Sequence, residues 1–363
     1  MEIVVRIIFS ILLLAFIIFF HELGHFLVGK MLGFCISGFS IGFGPKLLSF
    51  KRKGTEYALR LIPFGGSCQF VGEDGNEDYF YDPPYFNDQP VWKRFLTIFA
   101  GPFMNILLAF LIGFTVFLAT PIEEYGDNGT GIYTIMIKTV KEGSPAEEAG
   151  IKAGDIIKTV NGRPCFEDGM REKNTLDHVY NLLQYTQGEI VLDLKRNNHM
   201  VTLRVYRDLD ENNRYEPIGI TIGPKPVGYS HYNVIEAAEQ SGQYMWRVVE
   251  STAKAIVKMF KDGIQPGDLS GVVGTVSVMV NYANEGLINL VYISIILSLS
   301  LGVFNLLPIP ALDGGRLLFL IIEAIKGKPL NRNVEAIING IGFLLLMALM
   351  VVVTAMDIIG LFR

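Results

Sequence analysis

Four stretches of this 363-residue chain are long and apolar enough to cross a lipid bilayer, and they restrict its fold more than any other feature. A membrane-spanning helix needs about 20 mostly apolar residues. Half of all residues are hydrophobic and only 18% are charged, whereas about 25% are charged in a typical soluble domain. The four stretches are residues 3–29, 95–119, 287–307 and 337–361. The sequence therefore predicts a polytopic α-helical membrane protein with four transmembrane helices.

The first stretch also has the apolar character of a secretory signal peptide. Its apolar run is too long for one, and no small-residue cleavage site follows it, so we expect an uncleaved first span. The net charge of −5, from 31 Lys and Arg against 36 Asp and Glu, argues against a nucleic-acid partner. Three scattered cysteines provide neither a disulfide framework nor a CxxC metal motif.

Lysine and arginine residues near the ends of the spans predict the orientation of the chain in the membrane. Such residues concentrate in cytoplasmic loops. They are frequent in the loop of residues 30–94 and recur after the third span, within residues 316–336. Both loops are therefore expected to be cytoplasmic. With four spans, the two termini and the segment of residues 121–286 then lie on the outer side.

Three segments outside the spans have a recognisable secondary-structure pattern. Alternating apolar residues, separated by turn motifs, predict a β-rich domain over residues 127–223. Apolar residues recur at spacings of three and four over residues 234–263, which is typical of an amphipathic helix. Within the loop of residues 40–66, two apolar runs flank Lys53-Gly54 over residues 47–62 and predict a β-hairpin.

The sequence His21-Glu22-Leu23-Gly24-His25 lies inside the first span. On a helix, residues i and i+4 share a face, so both imidazoles can bind one zinc ion with the glutamate close by as a base. Ionisable side chains at membrane depth are costly and persist only where they face protein, water or metal. The alternative is that these histidines are merely hydrogen-bonded inside a helix bundle, which would explain one buried histidine better than it explains two histidines and a glutamate. We expect His21 and His25 to bind zinc.

A catalytic zinc ion normally has three protein ligands, so one more is needed. Asp313 is the best candidate, in a run that contains Pro308 and Pro310. Counted along helices that enter from the same side, His21 and Asp313 lie about 26 and about 38 Å from the starts of their spans, toward the cytoplasmic leaflet in both cases. The two prolines free backbone groups, which is tolerated at this depth where the backbone lines a polar cavity or is buried in protein. A simple proline kink or a helix end is the alternative.

Three motifs follow one another along the spans: His21–His25 in the first, Ala100-Gly101-Pro102 with Asn105 in the second, and Asn305–Gly315 in the third and its continuation. In this order they resemble the site-2 protease family of intramembrane zinc metalloproteases, in its bacterial form with a single PDZ domain. Residues 142–162 look like part of that PDZ domain. The resemblance therefore reaches nearly the whole chain.

The resemblance implies an intramembrane zinc endopeptidase that cleaves transmembrane segments of other proteins, after another protease has trimmed their outer domain. Zn²⁺ would be bound by His21, His25 and Asp313, with Glu22 as the general base. The substrate-binding residues would be Asn305, Pro308, Pro310, Gly42 and Gly44. The last two belong to the loop just before the hairpin. This loop and the hairpin together resemble a membrane-associated β element whose edge pairs with an unwound substrate.

The same resemblance implies a division of the chain. The two halves of the membrane protease core would be residues 1–120 and 287–363. The PDZ domain would span residues 127–223, and the amphipathic helix with its connecting segment would span residues 224–286. The PDZ domain would act as a substrate size filter, or would bind trimmed termini by strand addition. The partners would be transmembrane protein substrates and the lipid bilayer. The protein would lie in the bacterial inner membrane.

Two functions from other classes stay open on the sequence alone. A catalytically inactive membrane chaperone or adaptor would keep the fold, although the intact His21–His25 motif and Asp313 argue against it. A metal transporter would line its path with intramembrane His and Asp. Transporters often contain paired repeats, and none is visible in this sequence.

Overall fold

The computed structural model describes residues 2–73, 85–124, 134–165, 172–186, 188–207, 216–263, 271–284 and 286–361. The chain divides into two compact units. One contains Met1–Ala119 and Asn233–Arg363, and the other contains Thr120–Tyr232. The start expected for the β-rich domain, residue 127, lies outside the described residues.

The elements are numbered in chain order. They are α1 (Glu2–Met31), β1 (Ile36–Arg52), β2 (Thr55–Phe70), α2 (Val91–Ala119), β3 (Ile122–Glu124), β4 (Ile135–Val140), α3 (Pro145–Glu148), β5 (Ile156–Val160), β6 (Arg163–Pro164), α4 (Glu172–Tyr185), β7 (Glu189–Arg196), β8 (His199–Tyr206), β9 (Ile220–Pro224), β10 (Gly228–Ser230), α5 (Val234–Asp262), α6 (Val272–Asn284), α7 (Leu287–Asn305), α8 (Asp313–Lys326) and α9 (Arg332–Leu361).

Four of these helices are long and apolar enough to cross a membrane, which confirms the predicted integral membrane protein. The candidate spans are Val4–Met31, Val91–Ala119, Ile288–Asn305 and Arg332–Ile359. The second is the most buried of the four, because α2 packs against α1, α5, α7 and α8. Much of the first and last spans is exposed, as expected for helices that face lipid.

Strands β1 and β2 form an antiparallel hairpin whose turn lies at Lys53 and Gly54, both with positive φ. Such a turn matches the twist of the flanking strands. The ribbon also folds back on itself, since residues 38–41 of β1 pair with residues 66–69 on one side and with residues 56–59 on the other. The end of β2 is thereby brought to an edge of this small sheet.

Two helical features differ from what the sequence predicts. The third span ends at Asn305, and a separate helix, α8, begins at Asp313. Pro308 and Pro310 break the helix, as their positions predict, so the length of about 38 Å counted along a continuous helix does not apply. The connecting segment after α5 contains α6, whose 13 residues are too few for a span and were not predicted as a helix.

The second unit is rich in β-strands. Its main sheet has the order β8-β7-β5-β4-β9 with β6 beside β5, and β3 pairs separately with β10. Its core is formed by alternate strand residues, among them Ile137, Ile190 and Leu192, which are fully buried. This alternation follows from the period of two along a strand.

An ion pair lies in this unit between the buried Asp155 and the partly exposed Arg196, with N–O distances of 2.6 and 2.7 Å. Burial alone would raise the pKa of the Asp155 carboxyl. Hydrogen bonds from Arg196 and from the backbone N–H of Lys152, together with the charge of Arg196, outweigh it and hold the pKa below its usual value.

Candidate metal centre

His21 and His25 lie one turn apart on α1 and are both buried. Their Nε2 atoms are 3.3 Å apart. A helix places residues i and i+4 on one face, so this approach follows directly from the spacing of the two residues. The pair presents two imidazole nitrogens to a single point.

Asp313 completes the cluster from the first turn of α8. Its Oδ2 lies 3.0 Å from Nε2 of His21 and 3.5 Å from Nε2 of His25. This oxygen is buried, yet it forms no hydrogen bond within the described residues. A buried carboxylate oxygen without a partner is costly, and a cation between the three side chains would satisfy it.

The separations within the cluster fit a zinc ion. Ligand bonds of about 2.0 to 2.1 Å in tetrahedral geometry place neighbouring ligand atoms about 3.3 Å apart, and the three measured distances lie between 3.0 and 3.5 Å. His21, His25 and Asp313 each offer a ligand atom within 4.8 Å of the others. If all three bound one zinc ion, its fourth position would stay open, as in catalytic sites.

The bend between α7 and α8 brings Asp313 to the histidines. Ala311 adopts a left-handed backbone conformation with φ of 73°, which is unfavourable for a residue with a Cβ. Its N–H donates to Oδ1 of Asn339 in α9 at 3.2 Å. A Cβ on Gly314 would lie 2.1 Å from the carbonyl oxygen of Leu307, so only glycine allows α8 to start this close to the end of α7.

Helix α2 contacts the Nδ1 atom of each histidine, on the side of the ring away from the cluster. Nδ1 of His25 donates to the carbonyl oxygen of Thr97 at 2.9 Å, and Nδ2 of Asn105 lies 3.3 Å from Nδ1 of His21. A Cβ on Gly101 would lie 2.2 Å from Nε2 of His25. The glycine of the Ala-Gly-Pro motif therefore makes room for the histidine ring.

Glu22 lies against the end of strand β2. A Cβ on Gly66 would come within 2.6 Å of Cγ of Glu22, so there is no room for a side chain between the strand and Glu22 at this position. The side chain is only partly exposed. Glu22 thus lies between the two histidines in the sequence and beside a sheet edge in the fold.

The other predicted site residues take different positions. Nδ2 of Asn305 donates to the carbonyl oxygen of Leu301 within its own helix, at 2.9 Å. Pro308 and Pro310 lie in the bend between α7 and α8. Gly42 and Gly44 have φ of 86° and 84° in β1. Within the described residues, no hydrogen bond joins Asn305 to the three clustered side chains.

Sequence reasoning missed how α2 supports the cluster. Asn105 was quoted only as part of a motif, although an amide inside an apolar span is a signal in itself, because polar groups at membrane depth need partners. The contribution of Thr97 is made by a backbone carbonyl, so its side chain carries no sequence signal.

Comparison with known proteins adds an independent finding. The chain matches the model of peptidase family M50 over residues 9–349. It is 31% identical to the zinc metalloprotease RasP of Bacillus licheniformis, over 97% of this chain and 98% of that protein. It is 30% identical to the regulator of sigma-W protease RasP of Bacillus subtilis, with the same shares covered. The matched residues include the whole histidine and aspartate cluster.

Proposed function

This chain belongs to peptidase family M50 and is a zinc metalloprotease of the membrane, and we propose that it cleaves transmembrane segments of other membrane proteins at the cluster of His21, His25 and Asp313. One observation carries this proposal. The cluster is buried among helices that are long and apolar enough to span a bilayer. A peptide bond that reaches these residues must itself lie within the membrane region.

We assign the zinc ligands to Nε2 of His21, Nε2 of His25 and a carboxylate oxygen of Asp313. When bound, zinc supplies a Lewis acid that polarises a carbonyl group and makes a water molecule acidic near neutral pH. Glu22 would act as the general base toward the attacking water and would return the proton to the leaving amide nitrogen. The position of Glu22 beside His21 in α1 supports this role.

Substrate handling is assigned to the neighbouring irregular backbone and sheet edge. A helical substrate must unwind before cleavage, because its carbonyl groups are otherwise engaged in its own hydrogen bonds. Residues 66–69 of β2 lie next to Glu22 and pair with β1 on one side, so an unwound segment can add as a strand there. Asn305, Pro308, Pro310, Gly42 and Gly44 are the further residues that we propose contact it.

We also propose an orientation and a role for the second unit. The basic residues of the loops 30–94 and 316–336 place both loops in the cytoplasm of a bacterial cell. Residues 127–223 then lie on the outer side, where they form a PDZ domain. That domain would exclude substrates whose outer part has not been trimmed. Deletion of residues 129–223 would then permit cleavage of an untrimmed substrate, whereas a domain that binds trimmed termini would be needed for cleavage of the trimmed one.

Zinc analysis alongside cleavage of a model transmembrane substrate tests the assignment of residues. We expect Glu22→Gln to lose cleavage and keep zinc, because it removes the base and leaves the ligands. Asp313→Ala should lose both. Normal zinc content in Asp313→Ala would remove the third ligand from the proposal, and cleavage by Glu22→Gln would favour a different base or an indirect, chaperone-like role.

A further inference from the structure

Asn105 faces the second ring nitrogen of His21, with its Nδ2 3.3 Å from Nδ1. The side chain lies in α2 and is fully buried. An amide in such a place is costly unless its atoms are hydrogen-bonded. Its Oδ1 is nevertheless buried without a hydrogen-bond partner in the part of the chain that the structure describes. In this amide, Nδ2 therefore has a hydrogen-bond partner and Oδ1 has none among the described residues.

His25 shows what a histidine ligand of zinc requires on its far side. Its Nδ1 lies 2.9 Å from the carbonyl oxygen of Thr97. A carbonyl oxygen only accepts hydrogen bonds, so Nδ1 of His25 carries the ring proton. Nε2, which faces Asp313, then has a free lone pair for the metal.

His21 also needs its ring proton on Nδ1 to bind the metal through Nε2. The orientation of the Asn105 amide in this structure, with Nδ2 toward Nδ1 of His21, favours the opposite tautomer. If Nδ2 of Asn105 donates to Nδ1 of His21, the ring proton is on Nε2, the atom that faces His25 and Asp313. A rotation of 180° about the last side-chain bond exchanges Oδ1 and Nδ2 in nearly the same volume. It would place an acceptor at Nδ1.

We propose that Asn105 presents Oδ1 to the Nδ1–H of His21 in the zinc-loaded enzyme, and so holds His21 in the tautomer that binds the metal. Asn105 is thus a positioning residue. Because an amide has both a donor and an acceptor, it can also pair with His21 when the ring proton is on Nε2, which a carboxylate cannot do.

Helix α7 packs closely against α2 at Asn105. Ser298 of α7 donates to the backbone carbonyl of Asn105 at 2.8 Å. A Cβ on Gly302 would lie 3.3 Å from Cβ of Asn105, so α7 approaches α2 closely at this point. A half turn of the side-chain amide needs almost no extra volume, so it is compatible with this close packing.

The inference rests on the proposed zinc ligands, and one experiment separates the two. Zinc affinity is measured by competition with a chromophoric chelator on the full-length protein in detergent. Asn105→Leu keeps the approximate volume and removes the acceptor, whereas Asn105→Asp keeps an acceptor. We expect Asn105→Leu to weaken zinc binding about 10- to 100-fold, and Asn105→Asp to bind zinc about as well as the wild type.

Ser298→Ala is the matched control, because it changes the same helix contact without touching the amide. It should keep the wild-type zinc affinity. The proposal would be overturned if Asn105→Leu kept the wild-type zinc affinity, or if Asn105→Leu and Asn105→Asp weakened zinc binding equally. Wild-type affinity in His21→Ala would instead refute the ligand assignment itself.

A further pair of variants covers the case in which Asn105→Asp does not fold. Asn105→Ala and Ser298→Ala both remove atoms from the contact between α2 and α7, and both avoid a buried charge. A loss of zinc affinity confined to Asn105→Ala supports the positioning role. Equal affinities in the two variants overturn it.

Discussion

Arg94 of α2 donates two hydrogen bonds to Glu323 of α8, at 2.5 and 3.1 Å, and both side chains are buried. The pair joins the helix that supports both histidines to the helix that begins with Asp313. It therefore ties together the two sides of the metal centre at a distance from the ligands. Loss of one partner would leave the other charge buried and uncompensated.

We expect Arg94→Met or Glu323→Gln to reduce the free energy of unfolding by about 3 to 5 kcal/mol. The double variant Arg94→Met/Glu323→Leu should recover much of this loss, because an apolar pair carries no desolvation cost. Thermal unfolding in detergent measures the effect. A double variant less stable than either single one would contradict this account of the pair.

The left-handed conformation of Ala311 predicts opposite effects of two substitutions. Ala311→Gly relieves a backbone cost of about 1 to 2 kcal/mol, partly offset by the greater freedom of glycine in the unfolded chain. It should therefore leave stability unchanged or slightly raised. Ala311→Val should lower both the unfolding temperature and the zinc content, since the bend positions Asp313. Equal stability of the two variants would show that the bend relaxes without cost.

The contact between Gly66 and Glu22 predicts a loss of activity without loss of metal. A methyl group at residue 66 would displace the Glu22 side chain, and a shift of about 1 Å in a catalytic group can cost about 100-fold in rate. We expect Gly66→Ala to reduce cleavage about tenfold or more at unchanged zinc content. Gly242→Ala in α5 is the control, because its added Cβ meets open space. Normal cleavage by Gly66→Ala would show that the site accommodates the added methyl group, and would contradict this prediction.

The pair of Asp155 and Arg196 predicts an acid-sensitive second unit. The pKa of Asp155 is lower in the folded protein than its usual value of 3.8. Its contribution to stability is therefore present above about pH 4 and is lost as the pH falls through the folded value. The protection of β5 and β7 against hydrogen exchange in the full-length protein, relative to an unstructured peptide at the same pH, should decrease below pH 4. Asp155→Asn should weaken this pH dependence, and Arg196→Gln should destabilise the strands already at neutral pH.

Much of the fold could be predicted from local patterns. Each apolar span is recognised within about 20 residues, and the hairpin turn at Lys53-Gly54 is specified by two residues. The short helix α6 was missed, because a helix of 13 residues is too short to give the signal of a membrane span. The assignment to a family of zinc metalloproteases is confirmed by the match over residues 9–349, since the motifs that carry it are short, specific and ordered.

The sequence by itself determined which side chains are available for a metal and that two of them share a helix face, because the period of an α-helix is known in advance. Only the tertiary structure decided that Asp313 reaches them. That contact depends on where α7 ends, on the strained bend at Ala311 and on the packing of α8 against α2 through Arg94 and Glu323. The support of His25 by the carbonyl of Thr97 likewise belongs to the fold alone, since every residue carries the same carbonyl group and only packing selects one of them.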